Sequence, residues 1–398
     1  MKKNLCFLLL STGLLNLGIA QAQWNLETCP TNSSLNAISF VSSNSGWIVG
    51  DKGTILYKSD GGWKEYQKPT FENLYSIFML NEKDGWAVGA NGTIIRFDGK
   101  TWNSIVSPTK KNLLSVCFKD SENGIAVGEF GTVVIYLNGN WNVVGNEIRG
   151  DLYTAFFEND DAWIGGGLEC VNVPITKMVY KGGMTLINNF DSFATINSIC
   201  FLNSYNGWAV GSPSTILHFD GLRWEKPLIN DRFPSLKSVF FSDENNGISV
   251  GYSGTILIFS GDKWIKENSC VTQNLRGAAV IGNTFYAVGD SGTIVMKDLS
   301  ANNKAIATIP HEVPGKILLF PNPCDEVLNI NLPGKNDYAI VMISITNTYG
   351  QVIMQKKLNI GDGNLTYPIV TSELKNGLYF LQAVIGSKTT TIKFIIRH

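Results

Sequence analysis

The chain has 398 residues, 44% hydrophobic and 16% charged, with a net charge of -1, which is ample apolar material for packed domains. So balanced a charge argues against a nucleic-acid binder, which needs a basic face for phosphates. Only three histidines occur (His218, His311, His398), too few for a multi-histidine metal centre, while 40 glycines with 21 Phe, 13 Tyr and 10 Trp predict many short strands and tight turns.

Residues 1–22 read as a signal peptide. Lys2 and Lys3 precede apolar stretches at 5–10 and 14–20, and Ala20-Gln21-Ala22 is a small-x-small cleavage site. The mature chain is expected to start near Gln23 and to be exported. No later segment approaches the ~18 apolar residues of a membrane helix, so no membrane insertion is expected.

A Gly-aromatic-x-Val-Gly segment then recurs. It is seen in Gly46-Trp47-Ile48-Val49-Gly50, Gly85-Trp86-Ala87-Val88-Gly89 and Gly207-Trp208-Ala209-Val210-Gly211, with a weaker copy at Ala162-Trp163-Ile164-Gly165-Gly166. The closing glycines, from Gly50 to Gly289, are spaced 39, 39, 38, 45, 40 and 38 residues apart, so there are seven copies. Each holds four strand-like stretches, as at 74–80, 86–89, 93–97 and 101–106. Four short strands every ~40 residues is the period of a propeller blade.

The first strand of each copy carries a small column (Ala37, Ser76, Ser115, Thr154, Ser198, Ser238, Gly277) and, three residues on, a bulky one from Phe40 to Val280. Small residues suit strands converging on an axis, and bulky ones fill the wedge between blades. A Trp opens most outer strands (Trp63, Trp102, Trp141, Trp224, Trp264), with Met184 in the weak copy. The seventh copy lacks one, and Trp24 stands alone at the mature N-terminus. The expected fold class is therefore all-β: a seven-bladed β-propeller over residues 23–298, closed by the N-terminal strand.

These repeats resemble those of photosystem II stability/assembly factor-like propellers and, more loosely, Asp-box (BNR) repeats. The Asp-box likeness rests on Asp98-Gly99-Lys100-Thr101-Trp102 and Asp220-Gly221-Leu222-Arg223-Trp224, whose spacing is one residue short. Residues 299–315 read as a linker, and 316–398 as a small C-terminal β-sandwich. That tail resembles the C-terminal sorting domain of the type IX (Por) secretion system of Bacteroidota. The likeness is carried by Phe320-Pro321-Asn322-Pro323, Gly350-Gln351-Val352-Ile353, Gly377-Leu378-Tyr379 and Lys393-Phe394-Ile395-Ile396. It implies that Pro321, Asn322, Pro323, Gly350, Gly377, Tyr379 and Lys393 form the sorting motif, and that the translocon is a partner. Secretion or display on the outer-membrane surface follows from it. The tail holds eight Lys/Arg and five Asp/Glu, leaving residues 23–315 with six acids in excess.

Candidate ligand-binding residues lie at one end of the ring. Tyr75, Tyr153, Asn197, Lys237 and Arg276 stand at the mouth of the inner strands, beside Asn36 and Leu114. Asp51, Glu129 and Asp290 occupy corresponding turns, and Glu169 lies in an enlarged turn of the fourth copy. Paired carboxylates there suggest acid/base work on a glycoside, although solvated turn acids account for them more simply. Cys29 and Cys270, in corresponding loops of neighbouring blades, are a disulfide candidate in an oxidising compartment. No cofactor and no catalytic residue is singled out. The expected function is a non-enzymatic, monomeric propeller binding a protein or glycan. A glycoside hydrolase, sialidase or lyase and a structural adhesin unit are the alternatives.

Overall fold

The computed structural model describes residues 23–59, 61–144, 150–167, 175–179, 187–188, 194–227, 229, 232–260, 263–299, 317–332, 340–347, 351–359, 365–385 and 388–397. The signal peptide, most of the linker, Met184 and the turn holding Glu169 lie outside them, as does Gly350. The chain divides into two compact units between residues 305 and 306.

In the first unit, seven four-stranded antiparallel sheets follow one another. Blade 1 consists of Leu35–Ser42, Ser45–Gly50, Ile55–Ser59 and Gly62–Glu65. The six further inner strands are Leu74–Asn81, Leu113–Asp120, Asp151–Glu158, Thr195–Asn203, Leu236–Asp243 and Leu275–Ile281. The seventh sheet joins both ends of the unit: Asn25–Leu26 pairs with Thr293–Asp298 in the register Asn25↔Met296, Leu26↔Val295.

The repeated glycines follow from two close approaches. The first glycine of the motif faces the bulky column directly across the ladder, as in Phe40↔Gly46 and Phe118↔Gly124. A Cβ at Gly124 would lie 2.4 Å from the Phe118 ring. The last glycine meets the backbone entering its own blade: a Cβ at Gly128 would lie 1.9 Å from the Asn112 carbonyl oxygen. Both positions are closed to any larger side chain without movement of strand backbone or core ring.

Between blades, the second-strand Trp of one packs edge-on against the outer-strand Trp of the next. Ring centroids are 5.6 Å apart for Trp47–Trp102 and Trp86–Trp141, 6.0 Å for Trp163–Trp224 and 5.5 Å for Trp208–Trp264. Such pairs contribute about 0.5–1.5 kcal/mol beyond area burial. Where blade 7 meets blade 1, Tyr286 takes the inner Trp's place against Trp63, at 6.4 Å.

The small column does more than leave space at the axis. Ser76, Ser115, Thr154, Ser198 and Ser238 each accept the backbone N–H of the neighbouring inner strand, from Val116, Ala155, Ile199, Val239 and Ala278, at 3.1–3.2 Å. Inner strands carry a free edge toward the axis, and a hydroxyl satisfies its buried donors without a further strand.

The second unit packs Leu318–Phe320, Val327–Leu332 and Leu365–Val370 as one sheet. The other is ordered Val352–Asn359, Ile340–Asn347, Gly377–Ile385, Lys388–Ile396. Its core includes Cys324, Leu328, Ile343, Leu381 and Phe394. The strand at 365–370 escapes sequence reading because Pro368 lacks a ladder donor, yet this strand is an edge, where proline is tolerated.

Candidate functional site

All seven inner strands break register at the same place. The shift falls between Leu35 and Ala37 in blade 1, Leu74 and Ser76 in blade 2, and so on to Leu275 and Gly277 in blade 7. The skipped residues are Asn36, Tyr75, Leu114, Tyr153, Asn197, Lys237 and Arg276. A bulge removes one residue from the ladder and re-aims its side chain. Here it turns one side chain per blade toward a common axial pit of about 430 Å³, which these seven line together with the small column and Tyr252. Identity varies at this position because the bulge takes it out of the core.

Of the sequence candidates, Tyr75, Tyr153, Asn197, Lys237 and Arg276 meet in the pit. Asp51, Glu129 and Asp290 do not line it. They begin the tight 3-10 turns Asp51–Gly53, Glu129–Gly131 and Asp290–Gly292, where Asn side chains hold them. Asn36 donates to Asp51 at 2.9 Å, Asn112 to Glu129 at 2.9 Å, and Asn274 to Asp290 at 2.9 Å. These turns need a left-handed residue before the glycine, as at Lys52 (φ 58°) and Phe130 (φ 55°). The next blade stabilises that conformation, because Asn73 and Asp151 accept the Lys52 and Phe130 N–H groups at 2.8 and 2.9 Å.

Two cations line the pit from neighbouring inner strands. Arg276 donates through Nε to Asp290 at 2.6 Å and through Nη1 to Asn36 at 3.2 Å. Lys237 forms no ion pair among the described residues, and its ammonium rests 5.0 Å from the Tyr252 ring centroid. Tyr252 was not singled out by sequence reading. Its signal is an aromatic at a turn tip where blade 2 has Ala90 and blade 7 Asp290. The five hydroxyls were read only as small residues, since an inter-blade bond leaves no mark in a single strand. Among the described residues no group of His, Cys, Asp and Glu converges as a metal site requires.

The proposed Cys29–Cys270 bridge is corrected by the structure, where both thiols are free. Cys29 occupies the place of Ser107 and Ser269, its Sγ 3.3 Å from where a Gly292 Cβ would lie; the Ser269 hydroxyl has the same relation to Gly254 at 3.4 Å. Ser269, not Cys270, is thus the structural counterpart of Cys29, and Cys270 is exposed one residue further on.

In the second unit the first and last sorting segments adjoin. Asn322 Oδ1 accepts the Ile395 N–H at 2.9 Å, and its Nδ2 reaches the Lys393 carbonyl at 3.4 Å. Cys324 N–H donates to the Ile395 carbonyl, and Arg397 N–H to that of Cys324, both at 2.9 Å. Pro321 and Pro323, both exposed, flank the clasp. Gly377 opens the neighbouring strand, and Tyr379 stacks on Phe394 with centroids 5.8 Å apart while donating to the Lys375 carbonyl.

The first unit is a β-propeller and the second a small β-sandwich. Residues 318–397 match the family described as the secretion system C-terminal sorting domain, so the chain carries the signal that directs export through the type IX system to the cell surface or beyond. The propeller is similar to YCF48 solved with a D1 peptide (TM-score 0.57, 16% identity, 69% of this chain and 96% of that one). It is also similar to YCF48 from Cyanidioschyzon merolae (0.56, 17%, 70% and 100%). The WD40 propeller domain of Doa1 matches as well (0.55, 12%, 69% and 97%). At these identities the likeness is one of fold. No curated protein matches the sequence.

Proposed function

We propose that the exported propeller is a non-enzymatic binding module that holds a protein or glycan at its axial pit. One observation carries this reading: in every blade a bulge at a constant position presents one side chain to the same pit, and its type varies among Asn, Tyr, Leu, Lys and Arg. A constant scaffold with variable tips is the arrangement of recognition surfaces. Asp51, Glu129 and Asp290 are engaged by Asn side chains in the turns, and among the described residues no Asp or Glu lines the pit. A similar propeller, YCF48, has been solved with a peptide, which fits a binding role for this architecture. The test is a glycan array and a pull-down with the exported chain, alongside a glycoside hydrolase panel. Specific capture lost in Tyr153→Ala is the expected result. Turnover without capture would overturn the proposal.

A further inference from the structure

The pit wall is rich in hydrogen-bond donors. The hydroxyl oxygens of Ser76, Ser115, Thr154, Ser198 and Ser238 accept a backbone N–H, which leaves each O–H free to donate to a ligand. In the remaining arc the small column is Ala37 and Gly277; Arg276 stands there, and Lys237 stands on the adjoining strand beside Ser238. Arg276 keeps its second Nη without a partner among the described residues, and Lys237 has no ion pair. Asp51, Glu129 and Asp290 stand in turns at the pit end, but each is engaged by an Asn side chain and Asp290 also by Arg276, while Asp98, Asp120 and Asp243 sit in turns at the far end of the blades. Lys52, Lys68 and Lys111 join Lys237 and Arg276 at the pit end, with Lys68 donating to the Lys52 carbonyl and Lys111 4.4 Å from the Phe130 ring centroid.

Such a surface complements an anion. The backbone edge is partly used: five of its N–H groups are taken by hydroxyls, and the Leu74 and Leu236 carbonyls by Asn36 and Asn197 at 2.8 and 2.7 Å. Beside it stand the O–H donors, the cations and the rings of Tyr75, Tyr153 and Tyr252. Stacking faces plus hydroxyl donors suit a pyranose ring, and paired cations suit a carboxylate on it. Resting on the binding reading above, we propose that the pit receives the uronic-acid unit of an acidic glycan, its carboxylate held between Lys237 and Arg276.

The test is calorimetry on the full exported chain with three probes: trigalacturonate, neutral trigalactose, and a peptide offered with a free or an amidated C-terminus. Trigalacturonate is expected to bind at least about tenfold tighter than trigalactose, a difference of about 1.4 kcal/mol. Lys237→Met should remove most of that advantage, and added salt should weaken the acidic ligand only. Lys237 makes no hydrogen bond to the scaffold among the described residues, so the variant is expected to fold; Ser198→Ala, checked by its melting temperature, is a second probe of the wall. Equal binding of acidic and neutral sugars would overturn the anion inference and leave the binding module standing. Binding of the free-carboxylate peptide alone would replace the glycan by a protein ligand. No binding by any probe, while the pull-down still captures a partner, would remove this proposal only.

Discussion

The Trp24 indole N–H donates to Glu267 Oε2 at 2.7 Å, joining residues 243 positions apart. Glu267 also takes the Lys297 ammonium at 2.6 Å. The next interface repeats the device: Trp63 donates to Glu27 at 2.6 Å, and Lys58 approaches the same carboxylate at 3.4 Å. The indole N–H groups of Trp47, Trp86, Trp102, Trp141, Trp224 and Trp264 are buried with no hydrogen-bond partner among the described residues. The Trp–Glu–Lys sets therefore mark the two interfaces that involve the blade joining the chain's ends.

Trp24→Phe is expected to destabilise the propeller more than Trp102→Phe. Both lose similar ring area, but only the first breaks a hydrogen bond to a charged group, worth about 1.5–3 kcal/mol. Urea denaturation of the two variants measures the difference, and equal midpoints would refute the role given to Glu267.

Gly128→Ala should cost several kcal/mol or prevent folding, because the new Cβ would fall 1.9 Å from the Asn112 carbonyl oxygen. Gly139→Ala is the control. A Cβ there meets nothing within 4 Å, and only its φ of +80° opposes the change, at about 1 kcal/mol. The same denaturation curves separate the two.

Native-state alkylation at pH 7.5 should label Cys270 and spare Cys117 and Cys200. Burial pushes the last two thiols up to about 12 and about 11, which keeps them protonated and unreactive. A folded pKa above the ordinary 9.0 stabilises the protein fully below that value. This contribution is lost as pH rises through the folded pKa, so stability should fall on going from pH 9 toward 11. Peptide mapping should find no Cys29–Cys270 linkage; its presence would contradict the geometry.

Asn322→Ala should release the terminal strand of the sorting domain. Removing the Oδ1 acceptor leaves the Ile395 N–H unbonded, at about 1–3 kcal/mol. Amide exchange at residues 393–397 should quicken, and export should drop with the chain retained in the periplasm. Full export with unchanged exchange would show that the clasp is dispensable.

Periodicity made much of this legible. The glycine spacing numbers the blades, since each glycine answers a contact inside its own repeat unit, Gly124 with Phe118 and Gly128 with the strand it borders. The order of segments from Phe320 to Ile396 marked the sorting domain. The mouth residues were found as a column, but not why they form one, because a bulge is a mismatch between two strands.

What sequence alone determined was therefore what repeats, four strands per blade and the core columns, together with the motif order of the export tail. Tertiary structure decided what depends on neighbours far along the chain. It tied Asp51, Glu129 and Asp290 to asparagines instead of aiming them at the pit, and it turned small serines into bridges between blades. It set Cys29 opposite Gly292 rather than beside Cys270, and it placed Pro368 at a sheet edge. The physical reason is the same throughout. A side chain's hydrogen-bond partner is chosen by packing across blades or strands, from 15 residues away for Asn36 and Asp51 to 243 for Trp24 and Glu267, and no single strand carries that information.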